Sequence, residues 1–138
     1  MSAARQFMNG KIESIPSAES VDVAAQRMRD ADVGALLVTD PDGKLTGMIT
    51  DRDIVTGCIA AGHDPAKCPV SSLADHPPIT VDAGADLAEI LKTMGRSRVR
   101  RVPVTESGRL VGVIGVSDLL KAATPDEISS LVGRIVHK

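Results

Sequence analysis

The sequence has almost no aromatic side chains. Phe7 is the single aromatic residue among 138, with no Trp and no Tyr. Proteins that bind single-stranded nucleic acid stack its bases on aromatic rings, so this composition argues against nucleic acid as the primary partner. The net charge of −2 points the same way, because it provides no long-range field that would attract nucleic acid or an acidic membrane.

Long apolar runs and cysteines are scarce as well. No stretch approaches the roughly 18 uninterrupted apolar residues that span a bilayer, and residues 1–7 lack the apolar core of a signal peptide. We therefore expect a cytoplasmic protein without a membrane partner. In that compartment Cys58 and Cys68 are expected to be reduced thiols. A disulfide between them would form only under oxidising conditions.

What the sequence does contain is an internal repeat. The stretch from Gly47 to Asp53 is a glycine, an apolar pair and a final aspartate, and the stretch from Gly112 to Asp118 repeats it sixty-five residues later. Earlier matches, such as Ser14 with Thr80, are sixty-six residues apart. One residue lost from the second hairpin turn explains the change of offset. Two copies of this length indicate a tandem duplication rather than an open repeat array.

Each copy shows the order β-α-β-β-α. Ser20 is a helix N-cap before a stripe of apolar residues at helical spacing, and Asp86 with Glu89 forms a capping-box pattern in the second copy. Pro41-Asp42-Gly43 is turn chemistry between two apolar runs, which predicts a hairpin. The helix that closes the first copy is predicted to run from about Asp51 to Gly62.

A further amphipathic helix is predicted near the end of the chain. Thr124-Pro125-Asp126-Glu127 combines an N-cap, a first-turn proline and a capping-box acid. An apolar edge follows, and it must be buried on the chain itself or on a second copy. We assign residues 1–64 to the first unit, 65–123 to the second and 124–138 to this helix. The edge consists of Ile128, Leu131, Val132 and Ile135.

The repeat, its motifs and the segment Arg101-Val102-Pro103-Val104 resemble tandem cystathionine β-synthase (CBS) domains, known as Bateman modules. The likeness covers nearly the whole chain and is greatest to small stand-alone actinobacterial CBS-pair proteins of the hypoxic-response type, through residues 50–55 and 60–62. It implies an α/β (α+β) fold of two β-α-β-β-α units related by pseudo-twofold symmetry, with small sheets packed by helices and a C-terminal helix. It also implies a homodimer with two clefts.

The resemblance further implies a non-catalytic, ligand-sensing role. Many members bind an adenosyl ligand, which here would be AMP, ADP, ATP or S-adenosylmethionine, with no cofactor required. A carboxylate just inside a helix N-terminus can accept both ribose hydroxyls, and a preceding hydroxyl with free backbone N–H groups suits a phosphate. By the family pattern the base contacts the strap before the first helix. The candidate ligand-binding residues are therefore Ile15, Thr50, Arg52, Asp53, Thr80, Val81, Arg101 and Asp118.

The two copies differ at the proposed phosphate position. Gly115 stands where Thr50 stands in the first copy, and Gly34-Ala35 replaces the Arg100-Arg101 pair of the second. We expect the two clefts to differ in charge. Unless Ser117 substitutes for the missing hydroxyl, we expect the second to bind weakly or to take a ligand without a phosphate there. The alternative for the aspartates is a capping role alone, and the alternative for the arginine cluster at 96, 98, 100 and 101 is a solvated face.

Two other functions stay open. A ligand-free interaction dimer would use the exposed helices, and a thiol-linked or zinc-linked stress-response protein would use the thiols and imidazoles. Zinc ligands are present, but their spacings do not reproduce a compact finger with paired ligands, and no triad pattern for catalysis accompanies them. The expectation is no structural metal. The residues concerned are Cys58, His63, Cys68 and His76.

Overall fold

A computed structural model describes residues 3–10, 12–74, 78–120 and 123–136. The described chain forms two compact units: 13–78, here the N-terminal unit, and 79–136 joined by 3–12, here the C-terminal unit. The elements along the chain are α1 (Ala4–Phe7), β1 (Ser14–Pro16), α2 (Val21–Ala31), β2 (Ala35–Thr39), β3 (Leu45–Thr50), α3 (Asp51–Ile54), a π-helix (Val55–Ile59), a 3₁₀ turn (Val70–Ser72), β4 (Val81–Asp82), α4 (Leu87–Ser97), β5 (Arg101–Glu106), β6 (Arg109–Gly115), α5 (Val116–Leu119) and α6 (Pro125–Val136).

Each unit is built on a three-stranded sheet, and the mixed α+β class is confirmed. The sheets have the orders β1-β2-β3 and β4-β5-β6. In each, the first strand is parallel to the second and the second is antiparallel to the third through a hairpin. The register repeats as well, because Ile15 pairs with Val38 in one sheet and Val81 with Val104 in the other.

The first helix of each unit begins at its predicted N-cap residue, and the first of these helices also ends where its sequence predicts. Ser20 is the N-cap of α2, and Asp86 is the N-cap of α4, where its carboxylate accepts a hydrogen bond from the Glu89 N–H at 2.9 Å. Both helices end at a non-glycine residue in the left-handed conformation, Asp32 or Arg98, each with φ of 55°. The Asp86 side chain satisfies a terminal backbone N–H of α4, whereas the Ser20 side chain makes no cap bond and its hydroxyl donates to the Asp22 carboxylate.

The N-terminal segment packs on the second half of the chain rather than on the unit to which we assigned it by sequence order. Ala4 is fully buried in the core of the C-terminal unit, and its N–H donates to the Ala85 carbonyl at 2.7 Å. Asn9 exchanges backbone hydrogen bonds with Val113 at 2.9 and 3.1 Å. The segment thus adds a short pairing to β6 and closes the core of that unit.

The predicted C-terminal helix is present as α6. The Thr124 hydroxyl accepts from the Glu127 N–H at 3.1 Å, and the Glu127 carboxylate accepts from the Thr124 N–H at 2.8 Å, which is a complete capping box. Leu131 and Ile135 are buried in the core of the C-terminal unit, whereas Val132 is 40% exposed. The apolar edge is therefore buried in part on its own chain.

The helix expected from Asp51 to Gly62 forms in a different way. Only α3 is α-helical, and the following residues, Val55–Ile59, form a π-helix. The Ala60 N–H donates to the Val55 carbonyl at 2.8 Å, and the His63 N–H donates to the Cys58 carbonyl at 3.0 Å. This wider winding still buries Cys58 in the core, as its position on the apolar stripe predicts.

Nowhere in the described part of the chain is a helix both long enough and apolar enough to cross a membrane.

Candidate functional site

In the N-terminal unit the strand-to-helix junction holds Thr50 and Asp53 in a reciprocal pair. The Asp53 N–H donates to Thr50 Oγ1 at 3.1 Å, and the Thr50 N–H donates to Asp53 Oδ2 at 2.9 Å. Both side chains are half-buried. The pair fixes the carboxylate on its helix and still leaves the Thr50 hydroxyl hydrogen free to be donated.

The backbone N–H groups at this junction are already used, contrary to the expectation that they face a phosphate. The Asp51 N–H donates to the Gly34 carbonyl at 2.9 Å, and the Arg52 N–H donates to Asp51 Oδ1 at 2.8 Å. With the Asp53 N–H bound to Thr50, the first three donors of α3 all have protein partners. Any phosphate contact here must come from the Thr50 hydroxyl or from the exposed Arg52 side chain.

The junction of the C-terminal unit repeats this frame without the hydroxyl. The Gly115 N–H donates to Asp118 Oδ2 at 2.7 Å, and the Val116 N–H donates to the Arg100 carbonyl at 3.1 Å. The Asn9 amide adds a further bond to the same Asp118 oxygen at 3.0 Å. Asp118 is therefore held more firmly than Asp53. Sequence reasoning missed Asn9, because it lies 109 residues from Asp118 and in no recognisable pattern.

Charge distinguishes the two junctions more than the missing hydroxyl does. In the N-terminal unit the exposed Asp51 carboxylate lies beside Gly34. In the C-terminal unit the position of Asp51 is taken by Val116, and the side chains entering β5 are Arg100 and Arg101. The first junction is consequently acidic and the second basic.

A cavity of about 310 Å³ opens at the basic junction. Its lining comes from the strand-to-helix turn, from the two arginines and from α6, whose contribution the sequence did not suggest. A volume of this size lies at the lower end of the range for small-ligand pockets. The lining residues are Arg100, Arg101, Gly115, Val116, Ser117, Val132, Ile135 and Val136.

Two of the three strap residues predicted to contact the base have buried side chains. Ile15 is fully buried and Val81 is 4% exposed, so both side chains belong to the cores of their units. Thr80, which precedes β4, is half-buried. Ile15 and Val81 can therefore offer a ligand their backbone groups, whereas Thr80 can also offer its hydroxyl.

The two cysteines lie together in the N-terminal unit as free thiols. Cys58 is buried and Cys68 is half-buried and packs against the same core. The Cys58 Sγ donates to the His63 carbonyl at 3.6 Å, and the Cys68 Sγ lies 3.2 Å from Ser72 Oγ. Burial raises the pKa of the Cys58 thiol, and the neighbouring Cys68 thiol and Asp64 carboxylate raise this pKa further.

We expect the two thiols to react at different rates. The thiolate is the reactive form, so a raised pKa keeps Cys58 protonated and inert near neutral pH, while half-buried Cys68 stays accessible. Timed iodoacetamide labelling followed by peptide mass spectrometry should show Cys68 modified at least tenfold faster at pH 7.5. In Cys68→Ser the remaining thiol should label slowly until the pH is raised. Equal labelling rates in the wild-type chain would contradict this account.

No group of three His, Cys, Asp or Glu side chains is arranged to hold a metal ion within residues 3–10, 12–74, 78–120 and 123–136. His63 is exposed at the rim of a pocket that Cys68 also lines. His76, the fourth candidate ligand, lies outside the described residues.

Comparison with known proteins follows the same division into two repeats. The CBS domain family model matches twice, over residues 4–59 and 70–124. Hypoxic response protein 1 of Mycobacterium tuberculosis is 41% identical over 121 residues, which cover 88% of this chain and 85% of the relative. A CBS domain-containing protein of Bacillus subtilis is 29% identical over 139 residues, covering 100% and 98%.

Solved structures show the same architecture. The crystal structure of Hypoxic Response Protein I with two coordinated zinc ions has a TM-score of 0.76 at 40% identity, covering 89% of this chain and 100% of that one. A CBS domain protein from Pyrobaculum aerophilum, complexed with AMP, matches the fold with a TM-score of 0.71 at 23% identity, covering 96% and 99%. With both repeats matched in sequence and in structure, the chain belongs to the CBS domain family as a tandem pair.

Proposed function

We propose that the chain is a non-catalytic sensor that binds an adenosyl ligand at its strand-to-helix junctions. In this proposal a phosphate-bearing ligand such as AMP binds to the C-terminal unit, beside Asp118. CBS-pair proteins are in general regulatory and ligand-binding modules, which supports the coarser part of this proposal.

The proposal rests on the hydrogen bonds that the Asp53 and Asp118 carboxylates accept. In each carboxylate, Oδ2 is occupied by the N–H of the residue three positions earlier, Thr50 or Gly115. The other oxygen, Oδ1, accepts no hydrogen bond from the described residues. A rigid carboxylate with one oxygen open is suited to accept ribose hydroxyls, and such charge-assisted bonds are among the stronger hydrogen bonds.

The phosphate is assigned to the basic junction. Arg100 and Arg101 line the 310 Å³ cavity together with Ser117, and no acidic side chain lines it. Guanidinium groups bind phosphate oxygens through paired N–H donors. The Ser117 hydroxyl is exposed and can replace the donor that Gly115 lacks. This reverses the expectation that the second copy would bind phosphate poorly.

The acidic junction favours a different adenosyl ligand. Asp51 and Asp53 place two carboxylates at the end of β3, with Arg52 as the neighbouring cation. A phosphate group would be repelled by these carboxylates, whereas a neutral adenosine or the cationic S-adenosylmethionine would not. For both junctions, the backbone of the strap at Ile15 or Val81, together with Thr80, is proposed to contact the base.

A thermal-shift panel of AMP, ADP, ATP, NADH and S-adenosylmethionine tests the proposal. A ligand at one hundred times its dissociation constant stabilises a protein by about 2.7 kcal/mol, which should raise the melting temperature by several degrees. The AMP complex of the Pyrobaculum aerophilum protein makes AMP the first compound to test. A flat response to all five compounds would remove the proposed function.

Zinc is the second candidate ligand, because the related Hypoxic Response Protein I structure coordinates two zinc ions. Cys58 and Cys68 supply two neighbouring thiols of the kind that zinc prefers, although the described residues place no complete ligand set around them. Elemental analysis of the purified protein separates the two candidates. One zinc per chain that stabilises the fold, with no response to nucleotide, would favour the metal.

Self-association is part of the proposal. Several aliphatic side chains of the C-terminal unit are exposed, namely Leu120, Val132 and Val136 at 58%, 40% and 63%. Leaving such side chains in water is unfavourable, and contact with a second copy would cover them. Static light scattering at micromolar concentration should give about twice the 14.4 kDa chain mass, whereas a monomer mass would contradict self-association.

A further inference from the structure

The arginine cluster that looks continuous in sequence is divided in the structure. Arg100 and Arg101 line the cavity at the Asp118 junction, whereas Arg96 and Arg98 line a second cavity of about 590 Å³. Arg134 of α6 is the third cation of this second cavity. Ser130, Gly95 and Gly133 complete its lining, and no acidic residue does so.

A glycine in α4 makes this convergence possible. A Cβ atom built on Gly95 would lie 2.7 Å from Arg134 Nη1 and 2.9 Å from Arg134 Cδ. Any other residue at this position would displace the Arg134 side chain from the surface of α4. Arg96 lies in the last turn of the same helix, and Arg98 is its left-handed C-cap, so the three side chains meet at one end of the α4–α6 pair.

None of these three guanidinium groups has a protein partner among the described residues. Some other arginines are paired, since Arg5 pairs with Glu106 at 3.1 Å and Arg29 pairs with Asp30 at 3.0 Å, whereas the cavity arginines and the control residue Arg109 are not paired within the described residues. The acidic side chains of the first turn of α6, Asp126 and Glu127, line a neighbouring cavity that also includes Arg134 and Ser130, but they do not line the cavity of Arg96 and Arg98. The cavity is therefore lined by guanidinium groups that make no hydrogen bond or ion pair within the described residues.

Compensation of helix dipoles accounts for only part of this charge. Each helix C-terminus carries roughly half a negative charge, and two such ends, of α4 and α6, offset about one of the three positive charges. A surplus of about two positive charges remains around the cavity. An anion with a single charge would leave part of this surplus unbalanced.

We propose that this cavity binds an oligophosphate, a chain of two or three phosphoryl groups that is either free or carried by a nucleotide. Each guanidinium presents a planar set of N–H donors that matches phosphate oxygens in pairs. The cavity volume of about 590 Å³ is larger than a single phosphate needs, so an oligophosphate can extend across the guanidinium groups that α4 and α6 contribute. The Ser130 hydroxyl, exposed in the same lining, adds a neutral donor.

The test is a calorimetric titration with inorganic tripolyphosphate at low ionic strength. Arg134→Gln and the double variant Arg96→Gln/Arg98→Gln should each weaken binding at least tenfold. Arg109→Gln removes the same charge from an exposed site on β6 of the same unit, and should change affinity less than twofold. Affinity should fall as salt is raised, because screening weakens contacts of exposed charges.

Titrations of a variant of the adenosyl site distinguish the two sites. They also show whether the ligand is a free oligophosphate or a nucleotide. Asp118→Ala should leave tripolyphosphate binding unchanged, so a failed adenosyl proposal does not remove this one. In that variant, equal affinity for tripolyphosphate and ATP identifies the phosphoryl chain alone as the ligand, and binding of ATP only identifies a nucleotide.

Three results would overturn the proposal. The first is no binding of either compound in the wild type. The second is a loss that is as large in Arg109→Gln, or that occurs in Arg101→Gln and not in Arg134→Gln. The third is a change of mass by light scattering in Arg134→Gln, which would make this face a contact between copies of the chain.

Discussion

Gly47→Ala should destabilise the N-terminal unit by roughly 1–3 kcal/mol, the usual cost of overpacking a core. A Cβ atom on Gly47 would overlap the Ala74 carbonyl oxygen and lie 3.1 Å from the Ala74 carbonyl carbon. These are backbone atoms against a buried strand, so they cannot move aside as a side chain can. Urea unfolding should show a midpoint lower by about 1 M for a typical urea dependence.

The repeat supplies the matched control, Gly112→Ala. Its new Cβ would meet Met8 Sδ at 2.5 Å, Met8 Cγ at 2.9 Å and Met8 Cβ at 3.0 Å. Methionine adapts its rotamers readily, so Sδ and Cγ can move aside and the loss should be smaller than in Gly47→Ala, at about the lower end of the same range of roughly 1–3 kcal/mol. Neither glycine has a positive φ angle, so backbone strain does not distinguish them. Equal midpoints for the two variants would show that contact with Ala74 is not what requires a glycine.

Asp118→Ala should weaken AMP binding roughly 10–100-fold, while Asp53→Ala should change it less than about twofold. A hydrogen bond to a charged group contributes about 1.5–3 kcal/mol, and each 1.4 kcal/mol is a factor of ten in affinity. Asp118 directly follows Ser117, which lines the basic cavity, whereas Asp53 belongs to the junction that carries the exposed Asp51 carboxylate. Isothermal titration of both variants with AMP measures the difference.

The two variants share one structural cost, because each aspartate accepts a backbone N–H at the start of its helix, at 2.9 Å for Asp53 and 2.7 Å for Asp118. Loss of such a cap costs roughly 0.5–2 kcal/mol in either unit. Asp118→Ala should lower the melting temperature further than Asp53→Ala, because it also breaks the bond from the Asn9 amide at 3.0 Å. If the two variants lose AMP affinity equally, the assignment of the phosphate to the C-terminal unit fails. If neither loses affinity, the carboxylates are caps and nothing more.

Much of the fold could be predicted because its signals are local. The caps at Ser20, Asp86 and Thr124 and the hairpin turn at residues 41–43 each depend on a few neighbouring side chains, and each lies where expected. The duplication then extended these local predictions to a second unit. The π-helix after α3 could not be predicted in this way, because its apolar spacing is that of an ordinary helix.

The sequence predicts the two strand-to-helix junctions, but not the hydrogen bonds that their donors make. The capping of α3 by Asp51 and Gly34, which uses the donors expected to face a phosphate, depends on side-chain geometry that spacing does not encode. Association of Asn9 with Asp118 and of Arg134 with Gly95 brings together residues far apart in sequence. The sequence analysis therefore treated the four arginines at 96, 98, 100 and 101 as one cluster, although they line two separate cavities.

A crystal structure of the chain grown with AMP is the decisive test of the adenosyl site. We expect one AMP at the C-terminal junction, with its ribose hydroxyls on Asp118 Oδ1 and its phosphate on the guanidinium of Arg101. Crystals grown with AMP at many times its measured dissociation constant that show no nucleotide at Asp118, or that show its phosphate at Thr50 and Arg52 instead, would contradict the account.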